Sequence, residues 1–451
     1  MRPLTRLIVG LLFLFAMFSS VAASAEAKSY VNDHSFGANG LVTGKVGPVE
    51  TSSTLGARVF AADSQGRTIV GAASGGEWFV WRFLPNGRPD SSFGDQGKIE
   101  IADWGYVDWE GSAVLTSAVV RPNGRILLVG YVGSYPVGVI RKGSAWFVMK
   151  QLMPDGSPDL TFGQDGGRSF GMDRGAVRAA LRPDGSFLVA AFKQLRQSGR
   201  TDDAALYSFS AGGRVIRDFG PGENVDSVNV LGAPRKPSYF FDVELLPDGR
   251  ILVSGTNKNR LFLMRLLSDG SRDRSFGRGG QVSWLPPGNK TFWATTRDME
   301  LDRKGRIVLA GSVDPRDPSD AAYGLVLRFS RNGRFDRSFG TNGVVRLFGT
   351  PMSGVGRRTS LYGVSVDSWG GIWVTGSAGK VAPAEREAVV VRYETNGRKD
   401  SAFFRKGVLR IGLGEGSVGT GLLRVGPRIY MAGRYYRGSQ ERFFLKRFRV
   451  R

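Results

Sequence analysis

A short motif, Asp-x-Ser/Thr-Phe-Gly, occurs at Asp33–Gly37, Asp90–Gly94, Asp159–Gly163, Asp273–Gly277 and Asp336–Gly340, with degenerate copies at Asp218-Phe219-Gly220 and Asp400–Phe403. A recurring aspartate invites a calcium reading, but a calcium loop gathers several oxygen ligands at close spacing. Here each aspartate leads, after one intervening residue, into Ser/Thr-Phe-Gly, and its neighbours are often basic. That pattern describes a turn anchored by a carboxylate. Eleven positions before each motif phenylalanine stand Arg82, Gln151, Ser208, Arg265, Arg328 and Arg392, with Arg447 as the chain-end equivalent. We therefore read Asp33, Asp90, Asp159, Asp273, Asp336 and Asp400 as structural, and Arg82, Arg265, Arg328, Arg392 and Arg447 as their partners. The copy that has Ser208 for Arg also has Ile216 in place of the aligned Asp. Such a paired loss fits a direct contact.

Other chemistry is thin. The chain has no cysteine, which removes disulfides, thiolate zinc sites and cysteine nucleophiles. Its one histidine, His34, occupies a motif position where other copies hold Ser91, Leu160, Arg274 and Arg337, which reads as tolerant surface. No Gly-x-Ser-x-Gly elbow or phosphate-cradling Gly-x-x-x-x-Gly-Lys-Ser/Thr occurs. Carboxylates adjoin at Asp202-Asp203 and at Glu385 with Glu387, but a hydrolase needs two of them facing across a cleft, which adjacency does not supply. No catalytic residue, metal site or cofactor is expected.

The elements that must carry the motif follow from its period. The seven phenylalanines, Phe36, Phe93, Phe162, Phe219, Phe276, Phe339 and Phe403, recur about every 61 residues. Apolar runs led by arginine keep the same period, as in Arg125–Gly130, Arg250–Gly255, Arg306–Gly311 and Arg428–Gly433, with looser copies beginning at Arg67, Ser186 and Gly371. So do runs ending in a basic residue, such as Phe79–Phe83 and Leu325–Phe329. Asx-Gly turns separate the runs and permit the positive φ of tight hairpins. Glycine, at 64 of 451 residues, is abundant without a collagen period. Each unit reads as four antiparallel strands, the second of them buried on both faces.

Four-stranded units repeated seven times predict an all-β, seven-bladed β-propeller. The combination Pro-Asn/Asp-Gly-Arg-Ile-Leu-Val-x-Gly, an apolar run ending Arg-Phe/Tyr, and Asp-x-Ser-Phe-Gly-x-x-Gly resembles the bacterial delta-60 repeat over about residues 30 to 451. That resemblance implies a seven-bladed propeller and no assigned activity. The repeat holding Ile216 departs most from the pattern and is expected to distort its blade. Residues 442–448 form a third strand with no motif after them, and the motif at Asp33 has no third strand before it. The N-terminal strand around Gly40–Lys45 is therefore expected to pair with the C-terminal blade and close the ring, putting Arg447 beside Asp33. Residues 28–31 precede the motif and are expected to be dispensable.

Arg2 and Arg6, the apolar run Leu7–Phe18 and the small residues Ala23-Ser24-Ala25 read as a signal peptide over residues 1–27. Residues 28–451 are then one propeller domain, exported to the periplasm or the exterior without a transmembrane anchor, and a monomer is expected. Net charge is +22, concentrated in turns such as Arg331–Arg337, Ser271–Gly279 and Asn396–Lys406, all on one face. That face suits an anionic envelope polymer better than nucleic acid, for which the chain has no recognisable motif. The opposite face carries loops of variable length, the usual place for a repeat protein to bind. Trp104, Trp109, Tyr131, Tyr135, Arg357, Arg358, Tyr435, Tyr436 and Arg437 are its candidate ligand residues, with Tyr435–Arg437 expected at the surface. Two functions remain open. One is a non-catalytic binding scaffold for a protein, peptide or glycan. The other is a hydrolase or lyase using carboxylates with Arg or Tyr at the channel mouth.

Overall fold

The computed structural model describes residues 30–48, 59–102, 113–133, 146–172, 174–193, 203–220, 228–229, 238–257, 260–286, 292–315, 322–347, 358–380, 383–404 and 406–450. The signal-peptide expectation lies outside them. Seven antiparallel sheets succeed one another along the chain, and one 3-10 turn, Pro383–Glu385, is the helical structure among the described residues. The first sheet, blade 1, consists of Val59–Ala62, Thr68–Ser74, Glu77–Phe83 and Lys98–Ile101. Blades 2 to 6 repeat the order through Val408–Ile411, and blade 7 begins with Ser417–Val425, Arg428–Arg437 and Gln440–Val450. The first strand of each blade touches that of the next around a full circle, including blade 7 to blade 1, so the ring is closed.

Each core lies between two blades. Strand two of blade 2, Ile126–Val132, is buried along its whole length, and its alternate residues join cores on opposite sides. Consecutive apolar residues in the sequence thus become alternating contributions to two interfaces. The seven motif phenylalanines each enter a different inter-blade core, none more than 4% exposed.

The repeated arginine explains why the motif travels with it. Arg265 donates from Nε to Asp273 at 2.7 Å, from Nη2 to Ser275 Oγ at 3.1 Å, and from Nη1 to the Arg331 carbonyl in the next blade's turn at 2.6 Å. Its guanidinium stands 4.7 Å from the centre of the Phe276 ring. Arg82, Arg328 and Arg447 repeat this arrangement on Asp90, Asp336 and Asp33, and reach the carbonyls of Pro154, Thr395 and Pro85. One side chain therefore fixes its own turn and clamps the next blade. The glycine of that next turn completes the joint: at Gly333, φ is +78° and an added Cβ would lie 2.8 Å from the Phe276 ring.

A second arginine, the one leading strand two, also faces the motif carboxylate. Arg125, Arg250, Arg306 and Arg428 lie 3.2, 3.2, 3.2 and 3.6 Å from Asp159, Asp273, Asp336 and Asp33. Burial alone raises a carboxyl's pKa, but here the motif hydroxyl, N–H groups and arginines outweigh it, and Asp273 is held down at about 2.

Three blades vary the theme. In blade 2, Gln151 donates to Asp159 at 2.6 Å. In blade 3, Arg182 arrives from strand one, donates to Ser208 Oγ at 2.8 Å and covers the Phe219 ring at 5.4 Å. The described part of this blade's outer strand is Val228–Asn229, paired with Leu206 and Ala205. In blade 6, Gly371 replaces the second arginine, and Arg392 bonds both Asp367 and Asp400.

Closure follows the expected splice, with one correction. Leu41–Pro48 pairs with Gln440–Lys446, and Arg447 meets Asp33 at 2.9 Å. The preceding residues are not idle, however. Tyr30–Asn32 pairs with Phe448–Val450, and Tyr30 is 2% exposed, edge-on to Trp373 at 4.6 Å. Blade 7 has chain ends where other blades have a turn, and Tyr30 covers Arg392 at 5.0 Å at that junction.

Candidate functional site

The innermost strands leave one backbone edge unpaired along the central channel, and such an edge needs acceptors. Side chains of the preceding blade supply several. Ser117 Oγ accepts from Ala179 N–H at 3.1 Å, Asp242 from Met299 N–H at 2.7 Å, Asp298 from Val364 N–H at 2.8 Å, and Glu300 from Val366 N–H at 3.1 Å. Arg178 reaches across the channel, donating to Asp242 at 2.8 Å and also to Asp298, two blades away. With one strong cation for four acids, burial prevails. It pushes Glu300 up to about 7, Asp298 up to about 8, and Glu244, beside Asp242, well above its ordinary range. Among the described residues Glu244 accepts no hydrogen bond.

Above this layer, towards the loop-bearing face, each first strand of blades 2 to 7 skips one residue in its pairing: Thr116, Val177, Phe241, Arg297, Tyr362 and Thr420. A bulge re-aims its side chain. The two threonines turn back onto the carbonyls of Val129 and Ala432. Val177 and Tyr239 pack on an apolar patch of Val114, Tyr131 and Phe192. In blades 4 to 6 the same position builds a stack, with Arg297 5.0 Å from the Phe241 ring and 5.9 Å from the Tyr362 ring. Nearby Asp314 is raised by burial, against the pull of Arg358, Arg297 and Arg386.

Of the residues singled out in the sequence, Arg358 belongs to this mouth. Tyr131 does too, but as a buried member of the apolar patch, 5% exposed. Tyr435 is not surface: it is 8% exposed in the core between blades 6 and 7, and Tyr435–Arg437 ends a strand joined to the next by a tight turn. Tyr436 is half-buried with Arg434 above it at 5.7 Å, and Arg437 is exposed. Trp104, Trp109, Tyr135 and Arg357 lie outside the described residues. Away from the channel, a groove of about 780 Å³ at the rim, lined by Trp284, Phe335, Val344 and Arg346 among others, gathers too few polar groups for chemistry.

Comparison with family models supports the propeller architecture. A family model described as "Domain of unknown function (DUF5122) beta-propeller" matches residues 121–162 and 246–276. No curated protein matched the chain. Among solved structures, a catalytically inactive virginiamycin B lyase from Staphylococcus aureus is similar at 7% identity and a TM-score of 0.47, covering 90% of this chain and 99% of its own. Polysaccharide lyase Uly1 is similar at 10% identity and 0.48, covering 89% and 91%. The AfRom2 CNH domain is similar at 10% identity and 0.41, covering 90% and 98%.

Sequence reading missed Arg178, Asp242, Glu244, Asp298, Glu300, Phe241, Arg297 and Tyr362. Their signal was present but unlike a motif: they occupy the repeat positions just before each strand-one turn where type varies most between copies.

Proposed function

We propose that this protein is an exported, non-catalytic binding propeller that takes a protein, peptide or glycan ligand at the loop-bearing mouth of its channel. One observation carries the reading: Arg297 is held between Phe241 and Tyr362, and among the described residues its N–H donors meet no protein acceptor. An arginine immobilised between two rings, with no hydrogen-bond acceptor among the described residues, is ready for a ligand. Asp242, Asp298 and Glu300, in contrast, are committed to neighbouring N–H groups. The test is to probe peptide and glycan arrays with the chain from Lys28 onward and with an Arg297→Ala variant. Ligands held by the first and lost by the second support the reading, and ligands held equally by both oppose it.

A hydrolase or lyase reading keeps one specific support. Glu244 is lifted by burial without a hydrogen-bond partner among the described residues, the condition of a general acid near neutral pH. Mass spectrometry of each array ligand after incubation decides it. Cleavage abolished by Glu244→Gln would replace the binding reading.

A further inference from the structure

Arg358 opens strand one of blade 6 and is paired opposite Gly379, which is in turn paired opposite Arg386. Paired residues on neighbouring strands present their side chains to the same sheet face, so two guanidiniums flank a glycine. The glycine leaves a notch between them, and a side chain there is barred because its Cβ would run into the Glu385 carbonyl. Arg358 Nε is buried and, among the described residues, has no hydrogen-bond partner. Arg386 spends Nε on the Lys380 carbonyl at 3.2 Å. Facing them from blade 5 is Arg297, its plane fixed by the Phe241 and Tyr362 rings. Asp314 feels all three cations, so the described residues carry a local excess of positive charge.

We propose that this seam between blades 5 and 6 binds the free α-carboxylate of a peptide that ends in an apolar residue. The inference rests on the binding function argued above and names its ligand. A guanidinium held in one plane suits a planar carboxylate, which accepts two parallel N–H bonds. The arginines meet at one point of the ring rather than being spread along it, which fits a single terminal charge better than a polymer carrying a charge on every unit. Beside that point, Phe241 stacks on half-buried Tyr239 at 6.4 Å, and Tyr239 continues into the apolar patch with Val177. An apolar last side chain finds its surface there.

The experiment uses the chain from Lys28 onward and a peptide array in which every sequence is printed twice, once with a free C-terminal carboxylate and once as the amide. Hits are then titrated by fluorescence anisotropy, with oligogalacturonate as the sugar-acid comparison. The expected result is binding about tenfold tighter for free acids than for amides, a factor in keeping with charge-assisted bidentate recognition. Arg297→Gln and Arg358→Gln should each erase that preference. Arg297→Lys, which keeps charge but not the fork, should restore it in part, with circular dichroism showing all three variants folded. Equal binding of acids and amides, an array without free-acid hits, or Arg-dependent binding of oligogalacturonate instead would overturn the proposal. If peptides or glycans bind and are lost with Arg297 but show no preference for a free carboxylate, the carboxylate inference falls and the binding function stands; if their affinities are untouched by these arginines, both fall. If no peptide or glycan binds, both fall.

Discussion

Arg447 and Asp33, from opposite ends of the chain, form the same 2.9 Å ion pair that Arg328 and Asp336 form within one blade. Arg447 also donates to Ser35 at 2.8 Å and lies 4.6 Å over the Phe36 ring, so the complete joint is rebuilt from two distant segments. A chain starting at Leu55 lacks Phe36 and the strand Leu41–Pro48, which leaves the last blade with an open edge. It should aggregate, or melt well below a chain starting at Lys28, in differential scanning fluorimetry and light scattering. Equal melting of two monomers would remove the splice from the account of stability.

Residues 28–31 should matter as well, because Tyr30 packs edge-on to Trp373 and covers Arg392. Tyr30→Ala is expected to cost about 3 kcal/mol, as large-to-small changes of buried aromatics do. Urea unfolding of the two proteins measures it, and a difference below about 1 kcal/mol would show that the seam closes without the ring.

Asp273 receives Arg265 and Arg250 at 2.7 and 3.2 Å. Asp273→Asn removes the charge and leaves the well-buried Arg265 uncompensated, which should destabilise by about 3–5 kcal/mol. In blade 3, where Arg182 donates to the hydroxyls of Ser208 and Ser186 and covers the Phe219 face rather than pairing with a motif aspartate, Arg182→Met should cost less, about 1–2 kcal/mol. Reversal of that order in chemical denaturation would contradict the assignment of the joint's strength to the ion pair.

Two sets of carboxyls pull stability in opposite directions with pH. Asp273, depressed to about 2, contributes stability that is present above about pH 4, where free aspartates are ionised, and is lost as pH falls through 2. Glu300 and Asp298, raised to about 7 and 8, contribute stability that is full below about pH 4 and lost as pH rises through those values. Wild-type Tm should therefore be higher at pH 5 than at pH 8, and Glu300→Gln should reduce the difference. An unchanged slope would mean that Glu300 ionises freely in the channel.

Arg178→Met leaves Asp242 and Asp298 without their shared cation. The loss should be about 3–5 kcal/mol at pH 8, as for other broken buried pairs, and smaller at pH 5, where the carboxyls can take up protons instead. A loss independent of pH would indicate that Arg178 acts through packing alone.

The repeat joints were legible in the sequence because each copy solves the same local problem. A turn must be fixed and clamped to its neighbour, so arginine, aspartate, serine, phenylalanine and glycine return at constant spacing. The paired absence at Ser208 and Ile216 already disclosed the contact. The substitute, Arg182, did not stand out, because it comes from another strand and its nearness to Phe219 exists only once the sheet has formed.

Sequence alone thus determined seven units, four strands in each, a closed ring and the meeting of Arg447 with Asp33. Periodicity and turn chemistry are properties of neighbours along the chain, and ring closure follows from complementary missing halves. Tertiary structure decided the channel and its mouth. Arg178, Asp242 and Asp298 belong to three different blades and become partners because radial packing points one position of each inner strand at a common axis. The bulge re-aims the residue just before that position, and no spacing rule distinguishes Arg297 between two rings from an arginine in solvent.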